Sequence, residues 1–459
     1  MQNNSFEKKS TNYETFNKEM NSPTAYEQGD RICFIGDSIT HCNFYMASIY
    51  EFYLTRFPEK KIDFYNCGIA GEKCKNVIRR LDYDILCHHP NKAVIMLGMN
   101  DVDRDLYTAT NNIEAQFEQR EKIFETYKSN MEHLVHMLSD NGIEITLCTP
   151  TPYDQTALIE EKVFFGVDDA LTRFSEIITG IAKKSGCALL DFHSCMNEIN
   201  KQVQKVNPQN TITSSDRVHP GETGIQLMVY FFLRNQGFSS EAVLINIDYK
   251  NKSILDVYNC EIENMNIEPT SLSFTINPHA FPMNNNEFYT QADFYVPLTK
   301  DLNREMLHLC NLPEGNYTLY VDEIELGCFT TKEFIAGINL SLLKGYPGLS
   351  YTRSIHELNL IRFETEQKLR TITYIETIMI ENEINLEDKH KIKQFFLSFL
   401  DKIKAEPYHD YIFKQVQLYY EFKPQEKDLS KQLSIDMNHL SEYAEKNPQK
   451  YQISIKRVL

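Results

Sequence analysis

The sequence predicts an α/β fold with a parallel sheet for roughly its first half, and two observations carry this prediction. Short and nearly continuous apolar runs recur from residue 31 to residue 192, and such runs are typical of strands that are buried on both faces. Amphipathic stretches of helical spacing lie between these runs. Strands that alternate with helices imply crossover connections, and therefore a layered domain around a parallel sheet.

The apolar runs place five strands. We predict strands at residues 31–35, 62–65, 93–97, 143–147 and 188–192. The intervening helices are predicted over residues 39–53, 74–88, 112–140 and 221–235, with further helical stretches between the fourth and fifth strands. The long helix stops at Asn141-Gly142, a typical helix end.

The pattern changes after about residue 237, where half-buried strands and then long helices are predicted. Apolar and polar residues alternate around Phe274, and residues 316–330 indicate a hairpin that turns at Asp322-Glu323. Thr330 and Glu333 have the spacing of a capping box. Helices are predicted over residues 352–378, 386–405 and 408–422, and the alternation of residues 451–459 predicts a returning edge strand.

A chain of 459 residues is too long for one ordinary core, so we expect two or three domains. The predicted division is a polar N-terminal arm over residues 1–28, an α/β domain over 29–238, a small β-rich region over 239–330 and a mainly helical region over 331–459. No low-complexity linker separates them, so the second half is expected to pack on the first.

The composition is that of a soluble globular protein, with 42% hydrophobic, 24% charged and 12% aromatic residues. A formal net charge of −17 argues against a nucleic-acid or anionic-membrane partner, because both need dense Lys and Arg. The eleven cysteines have no CxxC or zinc spacing, and most are predicted to be reduced, buried thiols, among them Cys33, Cys87 and Cys148. No secretory leader and no run of about 18 apolar residues is visible, which predicts a cytoplasmic protein without a membrane span.

A serine lies where the first predicted strand turns into a helix, in Gly36-Asp37-Ser38-Ile39-Thr40. A hydroxyl at this turn is exposed at the sheet edge, and its N–H is among the unpaired donors of a helix N-terminus. Ser38 is therefore a candidate nucleophile. The alternative is that Ser38 is only an N-cap, the commonest role of serine at such a turn.

Two further segments follow the second and third strands. Gly71, in residues 66–72 (NCGIAGE), can bring a backbone N–H close to a ligand, although a glycine that only makes a turn is the alternative. Asn100, in residues 98–101 (GMND), can donate a side-chain hydrogen bond to a ligand at the same edge of the sheet, and an Asx-turn is its alternative.

The last segment is Asp216-Arg217-Val218-His219-Pro220, on a loop before a helix. This spacing lets the carboxylate accept from one imidazole nitrogen while the other nitrogen faces outward. Such a pair is the base and orienter of a catalytic triad. A surface histidine in a loop is the alternative.

Taken together, the segments GDSIT, NCGIAG, GMND and DRVHP resemble the four sequence blocks of the SGNH (GDSL-type) hydrolase family. The resemblance covers about residues 30–236, half of the chain. It implies a flavodoxin-like three-layer α/β/α sandwich with a five-stranded parallel sheet, and neither a cofactor nor a metal. Bacterial members of the family often carry a C-terminal extension, here of smaller α+β type.

The resemblance also implies a role for each matching residue. Ser38 corresponds to the nucleophile, His219 to the general base and Asp216 to its orienter. The N–H groups of Ser38 and Gly71, with the side-chain amide of Asn100, correspond to the oxyanion hole.

Asp37 and Tyr153 are candidates for substrate binding. His41 lies one turn after Ser38 and has two interpretations, a partly exposed helix residue or a substrate contact, of which we favour the first.

The resemblance implies a serine carboxylester hydrolase that acts through an acyl-enzyme on a small-molecule ester. We expect a small-acyl ester such as an acetyl ester, with O-acetylated carbohydrate as a candidate. The alternatives are a lipase or thioesterase of the same family, and a carbohydrate-binding protein that kept the fold without activity.

Overall fold

The computed structural model describes residues 20–108, 113–284, 287–406, 408–446 and 450–458. Residues 1–19 of the predicted N-terminal arm, which covers residues 1–28, therefore lie outside the described residues. The chain divides into two compact units. The first combines the segment that ends at Tyr26 with Arg31–Cys42 and Ala70–Gln236. The second combines Glu27–Asp30, Asn43–Ile69 and the chain from Gly237 onward.

The first half of the chain contributes a five-stranded sheet with the strand order β2-β1-β3-β4-β5. Its strands are β1 (Arg31–Gly36), β2 (Asp63–Gly68), β3 (Lys92–Met96), β4 (Glu144–Cys148) and β5 (Ala188–Leu190). The pairs β1–β3, β3–β4 and β4–β5 are parallel. This sheet confirms the predicted three-layer α/β class, and each strand lies within three residues of its predicted ends.

Helices alternate with these strands, as a parallel sheet requires. They are α1 (Ser38–His41), α2 (Phe44–Arg56), α3 (Cys74–Arg80), α4 (Ile113–Asp140), α5 (Val167–Ser185), α6 (Phe192–Val206) and α7 (Glu222–Asn235). α5 shows why such segments fold: its buried residues Leu171, Phe174 and Ile178 recur at helical spacing, and Gly186 ends it in the left-handed conformation.

The second unit contains two further sheets, of order β13-β10-β6-β7 and β12-β11-β14-β9-β8. Their strands are β6 (Glu241–Asp248), β7 (Ser253–Tyr258), β8 (Cys260–Glu268), β9 (Ser271–Pro278), β10 (Arg304–Cys310), β11 (Asn316–Val321), β12 (Ile324–Thr330), β13 (Ile338–Asn339) and β14 (Tyr451–Arg457). The predicted hairpin is confirmed as β11–β12, and both turn residues, Asp322 and Glu323, have positive φ, as the favoured two-residue turn demands.

The prediction that the last residues form an edge strand is wrong. β14 lies between β11 and β9, in the centre of its five-stranded sheet. Tyr451, Ile453 and Ile455 alternate toward the buried side, as the sequence indicated. Alternation reports which face is buried, but it does not report whether the backbone pairs on one edge or on both.

The helices of the second unit are α8 (Glu287–Tyr295), α9 (Leu298–Leu302), α10 (Thr331–Ala336), α11 (Pro347–Glu381), α12 (Lys389–Lys402), α13 (His409–Phe422) and α14 (Glu426–Lys446). The capping box at the start of α10 is confirmed. α11 begins five residues before the predicted start, because Pro347 occupies the first helical turn, where proline is tolerated. α14 was not predicted.

A row of buried polar residues follows one side of α11. We call it the polar seam, and its members are Asn359, Arg362, Glu366 and Arg370. Arg362 is fully buried and donates to Glu366 at 3.0 Å. A buried charge of this kind is tolerated only when it is paired.

The polar seam holds backbone of the same unit. Glu366 accepts from the side chain of Asn43 at 2.7 Å and from the N–H of Asn66, at the end of β2, at 3.0 Å. Arg370 donates to the carbonyl of Gly68, the last residue of β2, at 3.0 Å. α11 thus supplies hydrogen bonds to the end of a strand that is about 300 residues away in sequence.

Cysteine burial matches the prediction in part. Six of the eleven are buried, including Cys33 and Cys148, whereas Cys87 is exposed. Cys87 lies in a short helical turn, Leu86–His88, none of whose residues is buried. Among the described residues, no helix is both long and apolar enough to cross a membrane.

Candidate active site

The nucleophile turn joins β1 to α1. Asp37 precedes the helix, and its carboxylate accepts the N–H of Ile39 at 3.0 Å, so Asp37 and not Ser38 is the N-cap. Gly36 is required by close approach, because a Cβ there would lie 2.8 Å from the carbonyl of Met96 on β3. The serine hydroxyl is therefore free of the capping role that was its alternative reading.

Asp37 is 2% exposed. Burial raises the pKa of its carboxyl to about 6, against the opposing effects of the Ile39 N–H and the nearby charges of His219 and Arg104. In the structure, Asp37 stabilises the turn that carries Ser38, because its carboxylate caps α1. Its predicted contact with substrate stays a prediction.

Three side chains form a continuous hydrogen-bonded chain. Ser38 Oγ lies 2.8 Å from His219 Nε2, and His219 Nδ1 lies 2.5 Å from Asp216 Oδ2. The serine and the histidine are 181 residues apart in sequence. In this arrangement the imidazole can take the proton of the hydroxyl while the carboxylate holds the ring and stabilises its charged form.

Asp216 is held by its own loop. Its Oδ1 accepts the N–H groups of Val218 and His219 at 2.9 and 3.0 Å and the hydroxyl of Ser214 at 2.6 Å. Partial burial acts to raise the pKa of Asp216, but the hydrogen bonds from His219, Ser214 and the backbone together lower that pKa well below its usual range. The orienting carboxylate is therefore ionised throughout the neutral range.

Two of the three predicted oxyanion donors, Gly71 and Asn100, lie on loops that are bonded to each other. Gly71 has φ of +80°, the left-handed region that favours glycine. The side-chain amide of Asn100 donates to the carbonyl of Glu72 at 3.1 Å, which ties the loop after β3 to the loop after β2. An amide carries a second N–H, so this bond leaves a donor of Asn100 for an oxyanion.

His41 corrects a prediction. We expected a partly exposed histidine, but its side chain is buried, with 6% exposed, and its Nδ1 accepts the N–H of Ala70 at 3.3 Å. Ala70 precedes Gly71 in the loop that follows β2, which we call the oxyanion loop. This contact therefore holds the oxyanion loop next to α1, the helix that begins at Ser38. Sequence reasoning missed it because the partner is a backbone group, which no side-chain pattern reports.

The turn after β3 is shaped by a glycine and a buried carboxyl. Gly98 has φ of +136°, and a Cβ there would lie 3.2 Å from the ring of Phe174. Asp101 accepts the N–H of Cys74 at 3.0 Å, at the start of α3. Burial raises the pKa of Asp101 to about 7, and the charge of Asp37 adds to this effect.

A buried ionic cluster supports the same loops. Arg80 has no exposed surface, donates to Glu72 at 2.8 Å and pairs with Asp84 on its other side. Because the carbonyl of Glu72 accepts from Asn100, this cluster fixes the residue that the oxyanion amide contacts.

Tyr153 lies in the loop after β4. Its ring is buried, and its hydroxyl donates to the carbonyl of Lys162 and accepts the N–H of Phe164 at 3.0 Å. These contacts hold the loop together. The predicted role of Tyr153 in substrate binding stays a prediction. Within the described ranges, His, Cys, Asp and Glu side chains form no group of three placed to hold a metal ion.

Comparison with known proteins agrees with the fold. Residues 32–231 match the family described as GDSL-like lipase/acylhydrolase. The acetylxylan esterase of Geobacillus stearothermophilus is 24% identical to this chain over 226 residues, which are 46% of this chain and 95% of that protein. The solved structure of a gut microbial diltiazem-metabolizing enzyme has a TM-score of 0.85 at 24% identity, and the match covers 95% of this chain and 100% of that one.

The domain at residues 32–231 is of the GDSL-like (SGNH) hydrolase type, as the sequence blocks implied. Its class is that of the carboxylester hydrolases. The structural match extends over the C-terminal half as well, so that the whole fold is shared with a solved protein.

Proposed function

We propose that this protein hydrolyses small-acyl esters, acetyl esters above all, through an acyl-enzyme on Ser38. The observation that carries the proposal is the hydrogen-bonded chain from Ser38 Oγ through His219 to Asp216. A hydroxyl is a weak nucleophile until a base takes its proton, and this geometry places a base within hydrogen-bonding distance.

Acylation is the first half of the proposed reaction. His219 Nε2 accepts the proton of Ser38 as the serine oxygen attacks the ester carbonyl. The oxyanion of the tetrahedral intermediate accepts hydrogen bonds from the N–H groups of Ser38 and Gly71 and from the amide of Asn100, and each such donor is worth about 2.7–4 kcal/mol. The carbon–oxygen bond to the alcohol then breaks, and His219 delivers its proton to the leaving alcohol.

Deacylation repeats these steps with water. His219 takes a proton from the water that attacks the acyl-serine carbonyl, and the same donors stabilise the second oxyanion. The bond to Ser38 then breaks, the serine recovers its proton from His219 and the carboxylic acid leaves. Asp216 remains ionised throughout and stabilises the imidazolium in both halves.

O-acetylated carbohydrate is the substrate class that we propose. The acetylxylan esterase of Geobacillus stearothermophilus supports this choice by its name and by its alignment over 95% of its length. A neutral acetylated saccharide also suits a chain with a net charge of −17, since such a substrate is not repelled by an acidic surface.

The test of the mechanism is the substitution Ser38→Ala, assayed with an activated acetyl ester. We expect kcat to fall by a factor on the order of 10⁴–10⁶, because the acyl-enzyme can no longer form. The matched control is Ser139→Ala, an exposed serine at the end of α4, which should retain full activity. Equal activity of Ser38→Ala and the wild type would rule out the proposed nucleophile.

The test of the substrate class compares acetate release from acetylated xylooligosaccharides with hydrolysis of long-chain acyl esters. We expect the acetylated saccharides to have the higher kcat/KM. Faster turnover of long-chain esters would instead favour the lipase alternative. Binding of the saccharides without turnover by the wild type would favour the non-catalytic carbohydrate-binding alternative.

A further inference from the structure

We infer that Arg217 is a positioning residue for the catalytic pair, and that it fixes the imidazole of His219 relative to Ser38 through a network of backbone carbonyls. Arg217 lies between Asp216 and His219 in sequence, yet its side chain is directed away from solvent and is 2% exposed. The inference rests on the proposed function, because it assigns a role within the same triad.

The guanidinium of Arg217 is used on three of its nitrogens. Nε donates to the carbonyl of Glu161 at 2.9 Å, and Nη2 donates to that of Ile159 at 3.0 Å. Nη1 donates to the carbonyls of Asp154 and Ala157, both at 3.0 Å. Only the guanidinium fork presents rigid donors in so many directions, and a lysine ammonium has three donors on one atom.

The backbone of Arg217 takes part in the same contact. Its carbonyl accepts the N–H of Asp154 at 2.9 Å, so the side chain and the main chain of Arg217 grip the same segment. We call residues 154–161 the receiving loop. The receiving loop is itself fixed, since the carboxylate of Asp154 accepts the N–H groups of Thr156 and Ala157 and the hydroxyl of Thr211.

Arg217 also has an unusual backbone conformation. Its φ is +66°, in the left-handed region that residues other than glycine rarely adopt. This turn directs the N–H groups of Val218 and His219 at Asp216 Oδ1 while Asp216 Oδ2 faces the imidazole. A strained conformation at a functional site persists only where the surroundings hold it, and the guanidinium contacts supply that hold.

We call residues 213–220 the catalytic loop, and the contacts of Arg217 with the receiving loop its anchor. The other contacts of the catalytic loop explain why this anchor is needed. The base of the loop is closed by a bridge between Thr213 and Pro220 and by the bond from the N–H of Ser214 to the carbonyl of His219. The tip, which carries Asp216 and Arg217, is joined to the receiving loop through Arg217. Loss of the anchor therefore frees the part of the loop that orients the imidazole, and a displacement of about 1 Å in a catalytic group can cost about 100-fold in rate.

The experiment replaces Arg217 by lysine and, separately, by glycine. Arg217→Lys keeps a charge but loses the fork, and Arg217→Gly relieves the positive φ but removes the side chain. For both variants we expect kcat per titrated site to fall by about 10–100-fold, because the imidazole is displaced. We expect KM to change by less than about threefold, because neither substitution alters a group that contacts the substrate. The control is Arg31→Lys, since Arg31 also donates to a backbone carbonyl, that of His88, at the opposite end of β1.

Active-site titration with a serine-reactive phosphonate separates the outcomes. A positioning role lowers the rate per titrated site, whereas a purely structural role lowers the number of sites and leaves their rate unchanged. The second result, or a wild-type kcat in both variants, would overturn the inference. If Ser38→Ala retains activity, the proposed function fails first, whatever the Arg217 variants do.

A third variant keeps the inference testable if both substitutions prevent folding. Asp154→Asn loosens the receiving loop without altering Arg217, because an amide cannot accept the Thr211 hydroxyl at its nitrogen. We expect kcat per titrated site to fall by about threefold to tenfold. An unchanged rate per site in this variant contradicts the positioning role.

Discussion

At the scale of single residues, the site is held by bonds between side chains and backbone groups. Asp37 caps α1, His41 accepts from Ala70 and Arg217 donates to four carbonyls of the receiving loop. None of these three residues needs to touch the substrate. Each fixes a group that the proposed reaction uses, because a bond to the backbone positions a whole loop.

His41 provides a test at this scale. His41→Ala leaves the N–H of Ala70 without its acceptor, and an unsatisfied buried donor costs about 1–3 kcal/mol, so the oxyanion loop should shift. We expect kcat to fall by about tenfold, and His41→Asn, whose side-chain oxygen can replace Nδ1, to recover most of it. The measurement is kcat on an activated acetyl ester.

The control for His41 is His136→Ala, because His136 is on the exposed side of α4, with 71% of its side chain exposed. This variant should match the wild type. If His41→Ala also matches the wild type, the bond to Ala70 has no part in positioning the oxyanion loop.

At the scale of elements, β2 ends on a polar segment whose backbone is hydrogen-bonded to α11 of the same unit. The predicted strand ended at Tyr65, whereas the observed strand continues to Gly68. The N–H of Asn66 and the carbonyl of Gly68 are bonded to Glu366 and Arg370 of the polar seam. A distant helix therefore pairs backbone groups of β2 that lie beyond its apolar run.

Glu366→Gln tests the polar seam. The substitution keeps the size of the side chain but removes the charge that pairs with the buried Arg362. We expect the free energy of unfolding to fall by about 3–5 kcal/mol, since one partner of a buried ion pair is left uncompensated. Urea denaturation monitored by far-UV circular dichroism measures this change.

Glu364→Gln is the matched control, because Glu364 lies on the same helix and is exposed. It should change stability by less than about 0.5 kcal/mol. An equal effect of the two substitutions would show that the buried pair contributes no more than a surface charge.

At the scale of the whole molecule, stability depends on pH through buried carboxyls. The pKa of Asp101 is raised to about 7 in the folded state, whereas in the unfolded state it is about 4. Between these two pH values the folded protein keeps a proton on Asp101 that the unfolded chain has lost. Stability from this group is therefore highest in acid, falls as pH rises through this window and is level above about pH 7. Asp216 acts in the opposite direction, since its lowered pKa adds stability that is lost only as acid protonates it.

Asp101→Asn isolates the first effect. Asparagine can still accept the N–H of Cys74 through its oxygen, but it does not titrate. We expect the wild type to lose more stability than the variant between about pH 4.5 and about pH 7.5, with a slope difference of at most about 1.4 kcal/mol per pH unit. Urea midpoints across this range measure it.

The exposed Asp105, in the turn that follows, is the control for Asp101. Asp105→Asn should leave the pH dependence of the wild type unchanged. Parallel curves for the wild type and Asp101→Asn would contradict the buried, protonated carboxyl.

Much of the fold was predictable because its signals are local. Continuous apolar runs indicated the five strands of the parallel sheet, and spacing indicated the helices between them. The capping box at Thr330 and the turn at Asp322-Glu323 were predictable for the same reason. Strand partners were harder, and β14 shows why: its neighbours β9 and β11 lie more than 100 residues away in sequence, and its own alternation does not name them.

The α/β class of the first half and the five candidate catalytic positions could be predicted from the sequence, because a strand end, a glycine turn or an Asp-x-x-His pair is defined within a few residues. The folded structure was needed to show that Ser38 Oγ and His219 Nε2 lie 2.8 Å apart, that His41 is buried and that Arg217 anchors the loop that carries Asp216 and His219. These contacts join side chains to backbone groups or to residues far along the chain. Every residue carries the same backbone groups, so a sequence does not mark which of them will be bound.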